Sequence, residues 1–202
     1  MPESGPRRAG TPVRSDGRRS HEHLLAAARV AFAEQGADAS LREVARQAGV
    51  SIATLYRHFP TREALLEALL GQGFDVLRAR AVELLADPDP GRALAVWVGE
   101  LAAATDRYEG LPARVMQALN DPDSGLYAAC HGLQAAAADL LSRAVDAGRI
   151  RPDLGLDELM ATAYAMAWAA RQAPGLTANR LLTLLVEGLI VRPDLPSRTN
   201  LL

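Results

Sequence analysis

Ser51, Thr54, Tyr56, Arg57 and His58 stand within eight consecutive residues, and each can hydrogen-bond an anion or the edge of a base. Ile52 and Ala53, set among them, offer small apolar surface of the kind that meets a thymine methyl group. Arg42 adds a long cation a short distance upstream. The mixture suits recognition of a nucleic-acid surface, in which phosphate contacts fix position and base-edge contacts carry sequence information. It does not suit catalysis. The chain has no glycine-rich phosphate loop, no His-Glu-x-x-His run and no acyl-transfer nucleophile motif.

Such residues need a short rigid helix beneath them, and the flanking sequence provides one. Ser40 can cap a helix over 41–48, with Glu43 three positions on as its capping-box partner. Leu41, Val44, Ala45 and Ala48 line one face of that helix. Gly49 ends it, Val50 fills the turn, and Ser51 can cap a second helix over 52–59. Two short helices joined at a glycine make a helix-turn-helix. Its second helix is narrow enough for a major groove about 12 Å wide. Ser51, Ile52, Ala53 and Thr54 would then face the bases. Tyr56, Arg57 and His58, one turn on, are better placed for phosphates. His58 has a second reading, as a partly buried cap or packing residue.

The other elements also read as helices. The first spans 18–35, with Leu24, Ala27, Ala28, Ala31 and Phe32 at helical spacing and Gly36 as its stop. After Pro60 and the capping Thr61, a fourth runs to about residue 85, with Glu63 and Glu67 in its first turns, on the side its dipole favours. Asp87-Pro88-Asp89-Pro90-Gly91 breaks the chain. Five more are predicted, over 92–107, to 119, 125–147, 156–172 and 178–191, the seventh capped by Asp123 or Ser124 and the ninth by Thr177. No strand alternation or repeat is visible. The expected fold is all-α: a helix-turn-helix domain over 18–63, a larger helical domain over 64–192, a disordered arm over 1–17 and a tail over 193–202.

Charge follows the same division. Residues 1–62 carry ten arginines against six acidic residues, whereas 63–202 carry twelve against eighteen. A basic head on an acidic body fits an N-terminal half that meets phosphate. All basic side chains are arginine. The arginine-bearing arm can follow phosphates or enter a minor groove, or it can be a solvated tail. Cys130 is the only cysteine, so no intrachain disulfide can form. No metal site, cofactor or membrane span is expected, and the reading is of a cytoplasmic protein.

Residues 24–70 resemble the DNA-binding domain of the TetR family of bacterial transcriptional regulators. The resemblance rests on Phe32-Ala33-Glu34-Gln35-Gly36, Val44-Ala45, Ala48-Gly49-Val50-Ser51, Thr54-Leu55-Tyr56-Arg57-His58-Phe59 and Thr61-Arg62-Glu63-Ala64-Leu65. Family members often have lysine and glycine after the serine of the turn. Here Ile52 and Ala53 stand there, so no base-contact pattern is carried over.

The resemblance implies a palindromic duplex operator, a homodimer joined through the last two helices, and a small-molecule effector bound in the helical body. By position the dimer seam would use Leu159, Ala163 and Ala167 with Leu181, Leu185 and Leu189, unless these pack within one chain. Candidate effector-pocket residues are Trp97, Leu101, Met116, Tyr127, His131, Gln134, Tyr164 and Trp168, with a plain core role as the alternative for most of them. The fourth helix would couple body to head. Repression is the family's usual mode. Activation, or a helical interaction module without specific DNA binding, are the alternatives.

Overall fold

The computed structural model describes residues 13–105 and 112–172, together with 175, 177, 180, 181 and 183. Among these the protein is all-α, with eight α-helices: α1 Val13–Gln35, α2 Leu41–Gln47, α3 Ile52–His58, α4 Arg62–Leu84, α5 Pro90–Thr105, α6 Ala113–Ala118, α7 Gly125–Asp146 and α8 Leu156–Gln172. A single 3-10 turn, Gly36–Asp38, follows α1. The chain divides into two compact units, residues 1–69 and 70–202. No described helix is long and apolar enough to cross a membrane.

In the first unit, α1 begins at Val13 rather than at residue 18, so part of the expected arm is helix. Residues 13–35 contain no proline, and a helix nucleated by its packed part gains one hydrogen bond for each residue it adds. Ser20 donates to the Asp16 carbonyl in this added stretch. Residues 1–12 lie outside the described set. The buried seam of α1 is Leu24, Leu25, Ala28, Ala31 and Phe32.

Helix ends follow the local chemistry. Gly36 and Gly49 both have φ of 69°, a left-handed conformation that glycine adopts without a Cβ penalty. At the end of α2, Val50 N–H reaches the Ala45 carbonyl at 3.0 Å and Gly49 N–H the Arg46 carbonyl at 3.1 Å, a Schellman closure. Ser40 accepts from the Glu43 N–H at 3.4 Å as expected, but the reciprocal half of the capping box is absent. The Glu43 carboxylate accepts instead from Arg46 at 2.8 Å and Gln47 at 3.0 Å. An ion pair one turn away competes better for a carboxylate than a neutral backbone N–H does.

The first compact unit takes in the start of α4. Arg62, at the start of α4, donates to the Ala39 carbonyl at 2.7 Å and lies over the Phe32 ring at 5.9 Å. Leu65, Leu66 and Leu69 are buried, so the first two turns of α4 complete this unit's core.

The second unit is built from the rest of α4 and α5 to α8. Its core gathers Leu77, Ala81 and Leu84 of α4, Leu94, Trp97, Val98 and Leu101 of α5, Leu133, Ala137 and Leu140 of α7, and Leu159, Met160, Ala163 and Met166 of α8. The Trp97 Nε1–H donates to the Leu77 carbonyl at 3.0 Å, which satisfies its polar atom inside the core. The Asp87–Gly91 break is an ordered turn. Asp87 accepts from the Asp89 N–H, and Asp89 accepts from the Gly91 and Arg92 N–H groups. Arg92, Arg143 and Arg149 close over that turn. Of the expected ninth helix, Arg180, Leu181 and Thr183 are helical, and Thr177 accepts from the Arg180 N–H at 3.2 Å. The rest of 178–191 and the tail lie outside the described residues.

Candidate nucleic-acid interface

Packing between α2 and α3 fixes which side chains of α3 turn outward. Leu55 is fully buried, as are Val44, Ala45 and Ala48 on the facing helix, and Phe59 closes the end of α3. The outward face therefore carries Ser51, Ala53, Tyr56 and Arg57, with Ile52 and Thr54 half-buried at its edge. Tyr56 is 49% exposed. Arg42 is exposed near the start of α2. Seven of the eight candidates thus lie on, or at the margin of, an accessible surface.

Two hydroxyls are already engaged. Ser51 Oγ accepts from the Thr54 N–H at 3.1 Å, and the two side-chain oxygens lie 2.9 Å apart. This pair holds the first turn of α3 and leaves each hydroxyl part of its capacity for an outside partner. The open donors and apolar contacts of the face are then Ala53, Ile52, Tyr56 and Arg57.

His58, the eighth candidate, faces another way. Its ring packs edge-on against His21 of α1, with centroids 5.8 Å apart, and near Phe59 at 6.3 Å. His21 in turn lies 4.8 Å from the Phe59 ring. Burial, aided by the neighbouring His21 and Arg57, lowers the His58 pKa below its ordinary value. At neutral pH the imidazole is therefore uncharged, and in the free protein it ties α3 to α1. His21 escaped the sequence reading because its partners lie far off in the chain and one histidine on an otherwise apolar seam gives no periodic signal.

On α2, Arg46 and Gln47 hold the Glu43 carboxylate, whose pKa falls to about 2 through those hydrogen bonds. Glu43 is thus a fixed, neutralised anion rather than a charge that would repel phosphate.

In the second unit the expected pocket residues fall into three groups. Trp97 and Leu101 belong to the core. Tyr127 and Gln134 are half-buried on α7; the Tyr127 ring stacks on His131 at 3.8 Å, and His131 Nδ1 lies 3.1 Å from the Tyr127 carbonyl. Met116, Tyr164 and Trp168 are exposed, the last two at 45% and 59%. Cys130 sits close to Tyr164, and burial raises its thiol pKa, the opposite of a reactive thiolate. Among the described residues no group of three His, Cys, Asp or Glu side chains is placed to hold a metal.

On α8, the residues expected at the dimer seam are buried within a single chain. Leu159, Ala163 and Ala167 are exposed by only 5%, 0% and 1% within a single chain. They pack inward, within the core of the chain. Leu181 is half-buried and packs against the same core. Leu185 and Leu189 lie outside the described residues. The accessible stripe of α8 is instead Ala161, Tyr164, Ala165 and Trp168, at helical spacing on the outer face.

Comparison with known proteins agrees with this architecture. Residues 24–69 match the description "Bacterial regulatory proteins, tetR family", and residues 89–191 match "Transcriptional regulator SbtR-like, C-terminal domain". The transcriptional repressor KstR of Mycolicibacterium smegmatis is 27% identical over 90% of this chain and 93% of its own. A TetR transcriptional regulator from Streptomyces coelicolor is 34% identical, covers 84% of this chain and 98% of its own, and superimposes with a TM-score of 0.67. A TetR regulatory protein from Mycobacterium vanbaalenii is 29% identical, covers 89% of this chain and all of its own, with a TM-score of 0.62. With a helix-turn-helix head and a matching helical body, the chain belongs to the TetR family of DNA-binding transcriptional regulators.

Proposed function

We propose that the protein is a cytoplasmic homodimeric repressor. Each α3 enters the major groove of one half-site in a near-palindromic operator, and a small-molecule effector bound in the second unit releases it. The observation that carries this reading is the outward face of α3, where Tyr56, Arg57 and Ala53 stand exposed on a helix held by buried Leu55. A single short helix gives too few contacts for specific binding, and a two-fold pair of half-sites doubles them. Similarity to the KstR repressor favours repression over activation.

The aromatic stripe of α8 supports the dimer. Tyr164 and Trp168 are large, rigid and exposed in one chain, and such side chains anchor interfaces once covered. For the effector, Tyr127, His131 and Gln134 on α7 are polar and aromatic groups of the second unit that remain accessible. Binding that favours a conformation with the wrong half-site spacing would weaken operator affinity, with α4 joining body to head. No cofactor enters this account.

The test is selection of bound duplexes from a random library. The protein is first unfolded, freed of small molecules and refolded. Enrichment of a palindrome bears out the reading. A refolded, dimeric protein that enriches no sequence overturns it in favour of a helical interaction module.

A further inference from the structure

The buried seam of α1 does not end where α3 ends. Phe32, Ala28 and Leu25 recur at alternating four- and three-residue steps along α1 and are buried. The same stepping continues to His21, which packs on His58 and Phe59 at the C-terminal end of α3. One step further lies Arg18, also within α1. The register that carries the head's core on α1 thus changes from apolar to histidine to arginine as it leaves α3. By helical rise, Arg18 lies about 4.5 Å beyond His21 along the axis.

From this register we infer that Arg18 is a second DNA-contacting element, which grips a phosphate flanking the groove occupied by α3. This rests on the proposed reading of α3 as the recognition helix. His21 anchors the seam to the same end of α3 that carries Tyr56 and Arg57, so a backbone followed by those two residues continues toward Arg18. The Arg18 side chain is 82% exposed and forms a solvent-exposed ion pair with Glu22 at 3.6 Å. Such a pair contributes little and yields readily to a phosphate. The chain continues basic toward its start, with Arg8 and Arg7.

Register makes the inference testable. Arg19 has the same charge and lies on the same helix, but on the opposite face from His21. Affinity for the selected operator is titrated against salt for the full-length wild type, Arg18→Ala and Arg19→Ala. Each lost phosphate contact should flatten the dependence by about 0.9 in log–log slope, or about 3.5-fold in affinity between about 50 and about 200 mM salt. Arg18→Ala is expected to flatten by that amount per contact and to lose protection of the outermost phosphate of each half-site, with inner protections kept. Arg19→Ala is expected to match wild type. Equal flattening by Arg19→Ala, or an unchanged slope in Arg18→Ala, overturns the inference while leaving the recognition-helix reading intact. A wild type with no salt-sensitive duplex affinity overturns both.

Discussion

At the scale of the residue, His58 shows how one side chain can be read in two ways until its neighbours are known. Its place one turn into the recognition helix allowed either a phosphate contact or a packing role. The His21 and Phe59 rings beside it supply the packing. Its lowered pKa gives the head a dependence on acid. Above the ordinary histidine value, near 6.5, the ring is neutral in folded and unfolded chains, and its contribution to stability is fully present. As pH falls below that value the unfolded chain takes the proton first, and stability is lost until the folded ring also protonates. Thermal unfolding at about pH 7.5 and about pH 5.5 should therefore show a larger drop for wild type than for His58→Gln. Equal drops would mean that other groups carry the acid sensitivity. Ser51, by contrast, was legible from the sequence, because a cap is decided within three residues.

At the scale of the element, most helix ends were legible because glycine, proline and hydroxyl caps act locally. Gly49, Ser51, Ser124 and Thr177 all perform the roles their types imply. The start of α1 was not legible, since composition alone made residues 13–17 look like arm. Helix propagation from a packed seam is a property of the folded unit, and no five-residue window contains it. Gly49 is the element whose loss is easiest to interpret. A Cβ there would meet nothing within 4 Å, so a substitution acts through backbone strain alone. Gly49→Ala should destabilise by roughly 1–2 kcal/mol in chemical denaturation, whereas Gly49→Asn, which tolerates the left-handed region, should cost less. An alanine variant as stable as wild type would show that the turn relaxes to another geometry without penalty.

At the scale of the whole molecule, the sequence leaves a choice open where both faces of a helix are apolar. Helix α8 carries Leu159, Met160, Ala163, Met166 and Ala167 on one side and Ala161, Tyr164, Ala165 and Trp168 on the other. Periodicity identifies two stripes but does not say which of them a neighbour within the chain already covers. Burial decides it: the small-residue stripe belongs to the core, and the aromatic stripe is left outward. The proposed dimer then makes opposite demands on the two faces. Trp168→Arg places a charge on the outer stripe, where a lone chain keeps it solvated, so the fold should survive while association fails. Ala163→Arg places the same charge at a site with no exposure, and the fold itself should be lost. Sedimentation and far-ultraviolet circular dichroism separate the two: a helical monomer is expected for the first and an unfolded or aggregated chain for the second. Operator affinity of the Trp168→Arg monomer should fall to the level of nonspecific duplex, because two half-sites are no longer engaged together. If Trp168→Arg instead sediments as a dimer with full operator affinity, the two-fold axis does not pass beside α8, and the seam must be sought on another surface of the second unit.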